Sequence, residues 1–307
     1  MMWTKHGIIY SSSKAQLPVV DVRDDVWRIY FTSRNEKNQN VGNYIDVEPG
    51  SPYIIITDCK NFILPGNPGK TDSSGVMPCA VHENKLYYIG WTLRKDVPYY
   101  NYTSVGTVKS HYRFEKYEKF TKHGPILAPD TIDSGYSGTI FVMKQDSKYI
   151  GYYLSCTDWK PDENNNLQPC YNIKIAVSYD GILWDKTGIT AIDFEGEEAG
   201  ISSASVVKIG DIYHMWFSTR HAYEFRTNKD RAYRIMHATS KDGYNWTRDN
   251  EFGIVPELEF EKTMCAYPNV IIYKDKLHMF YNGDGFGDTG IAYATMDLKW
   301  ISTKTDI

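Results

Sequence analysis

Five aromatic strand endings recur along the chain at nearly constant spacing: "YFTSR" closing at Arg34, "GWTLR" at Arg94, "YLSCTD" at Asp158, "WFSTR" at Arg220 and "FYNGD" at Asp284. The steps between them are 60, 64, 62 and 64 residues. Such a repeat constrains the fold more than any local signal, because each unit must bury its faces against its neighbours. Before each ending lies a second apolar segment: "LPVVDV", "VMPCAVH", "SGTIFVM", "SASVVKI" and "YPNVIIY". Polar turns such as "KIGD" and "YKDK" join the two, which marks hairpins. A third strand follows, clearest in "IKIAVSYDGILW" and "RIMHATSKDGYNW". Both end in Ser-x-Asp-Gly-x-x-Trp, at Ser178, Asp180, Gly181 and Trp184, then at Ser240, Asp242, Gly243 and Trp246. In this motif the Asp accepts backbone N–H groups, the Gly takes a positive φ and the Trp packs between sheets. That role is structural.

A period above 50 residues with about four strands per unit predicts an all-β, five-bladed β-propeller forming one domain over residues 1–307. The blades are expected at about 16–62, 74–124, 136–190, 202–252 and 265–304. The N-terminal "MWTKHGIIYS" echoes "KFTKHGPILA" at the end of the second unit, so residues 3–10 read as the outer strand of the last blade. This would close the ring and leave no unpaired inner edge. "LKWIS" near Trp300 competes for the same place.

Composition agrees and excludes other classes. With 25 Tyr and 8 Trp, and without long Ala/Leu/Glu/Lys-rich windows at helical period, the chain favours strands. A formal net charge of −4 gives no basic field to hold a nucleic-acid backbone, so no nucleic acid polymer is expected as partner. No apolar run approaches the length of a membrane span and no signal peptide is read, so neither a membrane nor export is expected. Cys59, Cys79, Cys156, Cys170 and Cys265 are odd in number and scattered, which fits reduced thiols and a cytoplasmic location. The spacings of zinc, calcium, dinucleotide and P-loop sites are missing, so no metal and no organic cofactor is expected. The Asn101 and Asn245 sequons carry no weight without a secretion signal.

Strand parity then locates a working face. The first strand of a blade starts at one mouth of the channel, the second returns to it and the third leaves it again. The endings at Arg34, Arg94, Asp158, Arg220 and Asp284 therefore cluster at one mouth, with His221 beside them and with the entering loops that carry Asp133, Tyr136, Glu197, Glu198 and Tyr267. Aromatic platforms with carboxylates and guanidinium groups suit a hydroxyl-rich ligand, above all a sugar. Each arginine has a plainer alternative, a bridge between blades through a carboxylate. Three at equivalent positions point instead to an anionic group on the ligand, a phosphate, nucleotide diphosphate or sugar carboxylate. His214 and His278 read as satisfied core residues.

Written as "VVKIGDIYHMWFSTR…YRIMHATSKDGYNWTR" and "PNVIIYKDKLHMFYNGDG…GIAYAT", the blades resemble those of the five-bladed glycoside hydrolases of families 43, 32 and 68, and in style the family 130 phosphorylases. The resemblance covers residues 3 to about 300. It implies a glycosidase with an Asp base on the first strand, a pKa-tuning Asp near the third unit and a Glu acid opening the fourth. Here Gln16 and Leu17 stand where the base belongs, Asp133 is a loose match for the second site, and the position expected for the acid falls near Ser203, with Glu197 and Glu198 further back. Glycoside cleavage needs one protonated carboxyl and one carboxylate. Glu197 or Glu198 is the expected acid and Asp158 its partner. Substrate contacts are expected from Arg34, Arg94, Asp133, Tyr136, Arg220, His221, Tyr267 and Asp284. Two alternatives stay open: phosphorolysis, with Arg34, Arg94, Arg220 and His221 binding phosphate, and a protein that binds or modifies a sugar without hydrolysis.

Overall fold

Alternating apolar runs closed by Asp-Gly and Gly-Asp turns leave the chain one economical choice, meandering antiparallel sheets. A computed structural model describes residues 2–12, 14–109, 119–162 and 164–302. Its first strand, β1 (Thr4–Tyr10), is set aside by the topology until the end. The first meander is β2 (Gln16–Val22), β3 (Trp27–Arg34), β4 (Asn40–Glu48) and β5 (Ser51–Ile63). The second is β6 (Gly75–His82), β7 (Lys85–Leu93), β8 (Tyr99–Lys109) and β9 (Lys119–Leu127). The third runs through β10 (Ser137–Gln145), β11 (Lys148–Pro161), β12 (Leu167–Ser178) and β13 (Asp185–Ile192). The fourth holds β14 (Glu198–Ile209), β15 (Ile212–His221), β16 (Arg234–Ser240) and the two-residue β17 (Thr247–Arg248). In the last, β18 (Ala266–Tyr273), β19 (Lys276–Asn282) and β20 (Ile291–Asp297) are completed by β1, paired antiparallel to β20 with Thr4 opposite Thr295.

The described strands thus form five antiparallel groups of four, and β2, β6, β10, β14 and β18 pack one on the next, with β18 returning to β2. This is an all-β propeller. "LKWIS" does not compete for the closing place: it forms a short helix, α2 (Leu298–Ser302), after α1 (Asp284–Gly287). Residues 303 and 304, within the expected span of the last unit, and 110–118 in the second lie outside the described residues.

Apolar clusters fill the spaces between neighbouring groups. Trp27, Phe31 and Val47 meet Phe280, Ile291 and Tyr293 across the closing joint. Both Ser-x-Asp-Gly-x-x-Trp motifs form the expected turns: Asp180 Oδ1 accepts N–H groups of Ile182 and Leu183 at 2.8 Å, and Asp242 Oδ1 those of Tyr244 and Asn245 at 2.8 Å. Gly181 and Gly243 take positive φ, at 73° and 79°. Trp184 packs edge-on against Tyr87 of the second group, and Trp246 against Tyr152 of the third, so each turn clips one blade to the preceding one. His214 and His278 are core residues, bonded to His237 and to Tyr293.

Candidate anion-binding cavity at the channel mouth

The inner strands share one irregularity. Each loses register with its partner near its start, between Gln16 and Val19, Pro78 and Ala80, Ser137 and Ile140, Ser202 and Ser205, and Ala266 and Asn269. Such bulges re-aim side chains at barrel rims and active sites. Three of them hold a non-glycine residue in the left-handed region: Leu17 at φ 58°, Ser203 at φ 56° and Tyr267 at φ 59°. Each costs on the order of 1–3 kcal/mol and persists where the surroundings over-determine it. The surroundings do so here: the N–H of each residue donates to a side chain of the preceding group, Leu17 to Asn282, Ser203 to Thr139 and Tyr267 to Ser218.

All five inner strands, through Leu17, Met77, Thr139, Ser202 and Tyr267, line one cavity of about 270 Å³ at the channel mouth. Its aromatic wall is Trp91, Tyr99, Tyr136, Tyr171, Tyr233 and Phe286. Its charged lining consists of Arg34, Arg220 and Arg226; among the described residues no Asp or Glu lines it.

Arg220 is 2% exposed. Its Nε donates to Tyr171 Oη at 3.3 Å, and its two terminal nitrogens to the carbonyls of His221 at 2.8 Å and Pro169 at 2.7 Å. The guanidinium lies over the rings of Phe225, at 4.2 Å, and Tyr171, at 5.0 Å. A guanidinium carries five N–H groups, so two remain for a ligand. Among the described residues no carboxylate forms an ion pair with it. Burial works against the charge, yet the Tyr171 and Tyr233 hydroxyls outweigh burial and hold its pKa above the usual arginine value. Tyr171 and Tyr233 bond through their hydroxyls at 2.6 Å. Burial pushes Tyr99 up to about 12 and raises Tyr136, Tyr233 and Tyr267 as well, so these groups stay neutral hydrogen-bonding phenols.

Of the residues expected at the site, Arg34, Tyr136, Arg220 and Tyr267 line the cavity, Arg34 as an exposed side chain over the Trp91 ring at 5.5 Å. The others are elsewhere. Arg94 does not converge with them: it is exposed and paired with Asp96 at 3.3 Å. Asp284 turns back to accept the N–H groups of Thr263 and Met264. His221 faces Glu197 at 3.5 Å, and Glu197, largely exposed, also meets Arg231 at 3.3 Å. Asp158 is exposed and accepts the Trp159 N–H at 2.8 Å. None of these lines the cavity.

Two further placements correct the sequence reading. Glu198 is locked to Arg248 by a two-pronged ion pair at 2.7 and 2.8 Å. Burial pushes its carboxyl pKa up, but Arg248 and the Glu195 N–H group outweigh this and hold it below the ordinary range, the reverse of what a general acid needs. Asp133 is fully buried, between Lys174 at 3.0 Å and Lys186 at 2.8 Å, with Tyr153 and Ser155 donating to it. It ties the loop entering the third blade to the other strands of that blade, and it does not line the cavity.

Sequence reasoning missed Arg226, Tyr99, Tyr171 and Tyr233. All belong to the return loops or to the starts of third strands, which share the mouth by the same parity. Those loops differ in length from blade to blade, from 35–39 to 222–233, so no common motif marks them.

Among the described residues no group of three or more His, Cys, Asp or Glu could hold a metal ion, the five cysteines are free, and no helix is long and apolar enough to cross a membrane.

No family model matches the chain. Its fold is shared with solved glycosidase-type propellers. A glycoside hydrolase superposes with a TM-score of 0.71 at 16% identity, over 95% of this chain and 90% of that one. β-1,2-Mannobiose phosphorylase from Listeria innocua, in its β-1,2-mannobiose complex, gives 0.64 at 14% identity over 98% and 92%. A thermostable family-43 glycoside hydrolase gives 0.63 at 14% over 92% and 88%. In sequence, the uncharacterized proteins MT1551 and Rv1502 of Mycobacterium tuberculosis, from strains CDC 1551 / Oshkosh and ATCC 25618 / H37Rv, are each 30% identical over 316 residues, covering 97% of this chain and 100% of theirs. The chain therefore shares the β-propeller fold of these glycoside hydrolases and belongs to the same family as Rv1502 and MT1551.

Proposed function

We propose that this protein is a carbohydrate-active protein of the glycoside hydrolase type whose central cavity takes the anionic part of a small sugar or glycoside. One observation carries the reading: a buried guanidinium lines the cavity with two N–H groups to spare and, among the described residues, no carboxylate beside it. An isolated buried charge is costly, and a ligand phosphate or carboxylate supplies the missing counter-charge. Arg34 and Arg226 add positive potential, and the tyrosine wall offers apolar ring faces together with hydroxyls that match those of a sugar. The β-1,2-mannobiose complex of the L. innocua phosphorylase supports a carbohydrate as the ligand of this fold. A cytoplasmic location, with reduced cysteines, belongs to the same proposal.

Calorimetric titration with glucuronate and glucose 6-phosphate, against glucose as neutral control, tests it. The anionic sugars should bind at least about tenfold more tightly than glucose, a difference of roughly 1.4 kcal/mol. Equal affinity for all three would refute an anion site.

A second reading, capture or modification of the sugar without hydrolysis, is favoured by the lining itself. Cleavage needs two carboxyl groups flanking the scissile bond, and among the described residues the cavity wall presents none. Release of sugar from a bound anionic glycoside, lost in Asp158→Asn or Glu197→Gln, would favour hydrolysis. Turnover that depends on inorganic phosphate would mark phosphorolysis. Tight binding without product after long incubation would favour capture.

A further inference from the structure

Asn40, at the start of β4, lines the cavity and is 2% exposed. Its Oδ1 accepts the Trp91 indole N–H at 3.0 Å. That bond fixes which end of the amide is oxygen, because an indole nitrogen only donates. Nδ2 is left without a hydrogen-bond partner. Among the described residues it is the buried, unpartnered side-chain atom whose residue lines the cavity. Such a donor keeps the full cost of its lost hydration until an acceptor reaches it.

The backbone around Asn40 holds this arrangement in place. Asn40 bridges Gly75 on β6, and Gly75 pairs with Trp91 on β7. A Cβ at Gly75 would collide with Trp91 Nε1 and with Asn40 Cβ, so a glycine is what lets the indole reach the amide. Two residues along the same pair of strands, Met77 stands opposite Ile89. Residues at this spacing share a face, and both line the cavity while Val76 between them joins the core. An amide donor therefore adjoins an apolar pair on the wall built by the first two blades.

We infer that this wall holds the acetamido group of an N-acetylated sugar, with Asn40 Nδ2 donating to its carbonyl oxygen and Met77 and Ile89 packing on its methyl. An acetamido group carries an acceptor with a methyl beside it, which matches the donor and the apolar pair; a sugar hydroxyl would turn its own O–H toward apolar side chains. The inference rests on the cavity's being a sugar site and narrows the ligand to an anionic N-acetylamino sugar, its charge at Arg220.

Calorimetric titration of the full chain with two matched pairs tests it: N-acetylglucosamine against glucose, and N-acetylglucosamine 6-phosphate against glucose 6-phosphate. The acetylated member should bind at least about tenfold more tightly than its partner. Asn40→Asp keeps an acceptor for Trp91 and removes the donor. In that variant the two members of a pair should come within about twofold of each other, because the added charge acts on both alike. Met77→Gln, which leaves the Trp91 bond untouched, should also reduce the preference. No preference in either pair, no binding of any of the four sugars, or a preference that survives both variants would overturn the inference. Comparing one pair with the other reads the anion site separately: phosphates that bind no better than the neutral sugars refute that site, while an acetyl preference between the neutral sugars still supports the Asn40 wall.

Discussion

Two buried charge clusters lie within the same propeller, and their difference separates structure from function. Around Asp133, two lysines, a tyrosine and a serine surround one carboxylate, and Asp130 adds a second negative charge at 3.2 Å from Lys186. That cluster is neutral and closed. Around Arg220, two tyrosine hydroxyls and two carbonyls surround a cation, and no acid among the described residues pairs with it. This one is open, with charge and N–H groups left over at the wall of a cavity. Buried charge is tolerated when paired within the protein. Where the pairing is incomplete, the partner comes from outside.

The sharpest way to break the contrast is to neutralise each centre. Asp133→Asn leaves Lys174 and Lys186 buried with too little counter-charge and should destabilise the fold by roughly 3–5 kcal/mol in denaturant titration. Sugar affinity of the folded fraction should be unchanged. Arg220→Met should do the reverse: stability near wild type or higher, because an apolar chain replaces a desolvated cation, and anionic-sugar affinity reduced by about 1.5–3 kcal/mol. If both substitutions affect stability alone, the open cluster is structural too.

Acid should separate the two centres further. Burial lowers the His214 pKa to about 4, with His237 adding to the effect, so the unfolded chain binds more protons than the folded one as pH falls from 6.5 toward 4. Stability should therefore decline across that window, by on the order of 2 kcal/mol from this group, and His214→Gln should flatten the slope. The Asp133 carboxyl has a folded pKa below its ordinary value, since its two lysines and its tyrosine and serine donors outweigh burial. Its contribution is present above the ordinary carboxyl range and is lost as pH falls through the lowered value, below about 4. Arg220 stays charged throughout, so affinity for a sugar phosphate should hold between pH 8 and pH 6.5.

The smallest effects belong to the rim. Arg34→Ala and Arg226→Ala should each weaken binding by about 0.5–1 kcal/mol and reduce its salt dependence, as exposed charges do. Arg94→Ala, whose side chain is paired with Asp96 in solvent, should change neither binding nor melting temperature.

The contrast also explains what could be read in advance. The 60-to-64-residue repeat, the hairpin turns and the echo between residues 3–10 and the second unit point to the propeller and its closing strand, because each is a local pattern repeated. Parity brought Arg34, Arg220, Tyr136 and Tyr267 to the mouth. It did not separate them from Arg94, Asp158 and Asp284, of which Arg94 lies just past the end of β7, Asp158 inside a longer β11 and Asp284 at the start of α1. Parity fixes height along the channel; rotation about the strand and loop length fix what faces the axis. Asp133 shows the other limit, since a carboxylate before an inner strand looks alike whether it waits for a ligand or for Lys174 and Lys186, two and three strands further along the chain. The bulges at Leu17, Ser203 and Tyr267 left no residue signature, as glycine is not used there.

A crystal soaked with glucuronate or glucose 6-phosphate tests the open cluster most directly. The carboxylate or phosphate should lie within hydrogen-bond distance of the terminal nitrogens of Arg220, with the sugar ring against the tyrosine wall. Density for the sugar elsewhere on the molecule, or in the cavity with its anionic group turned away from Arg220, would contradict it.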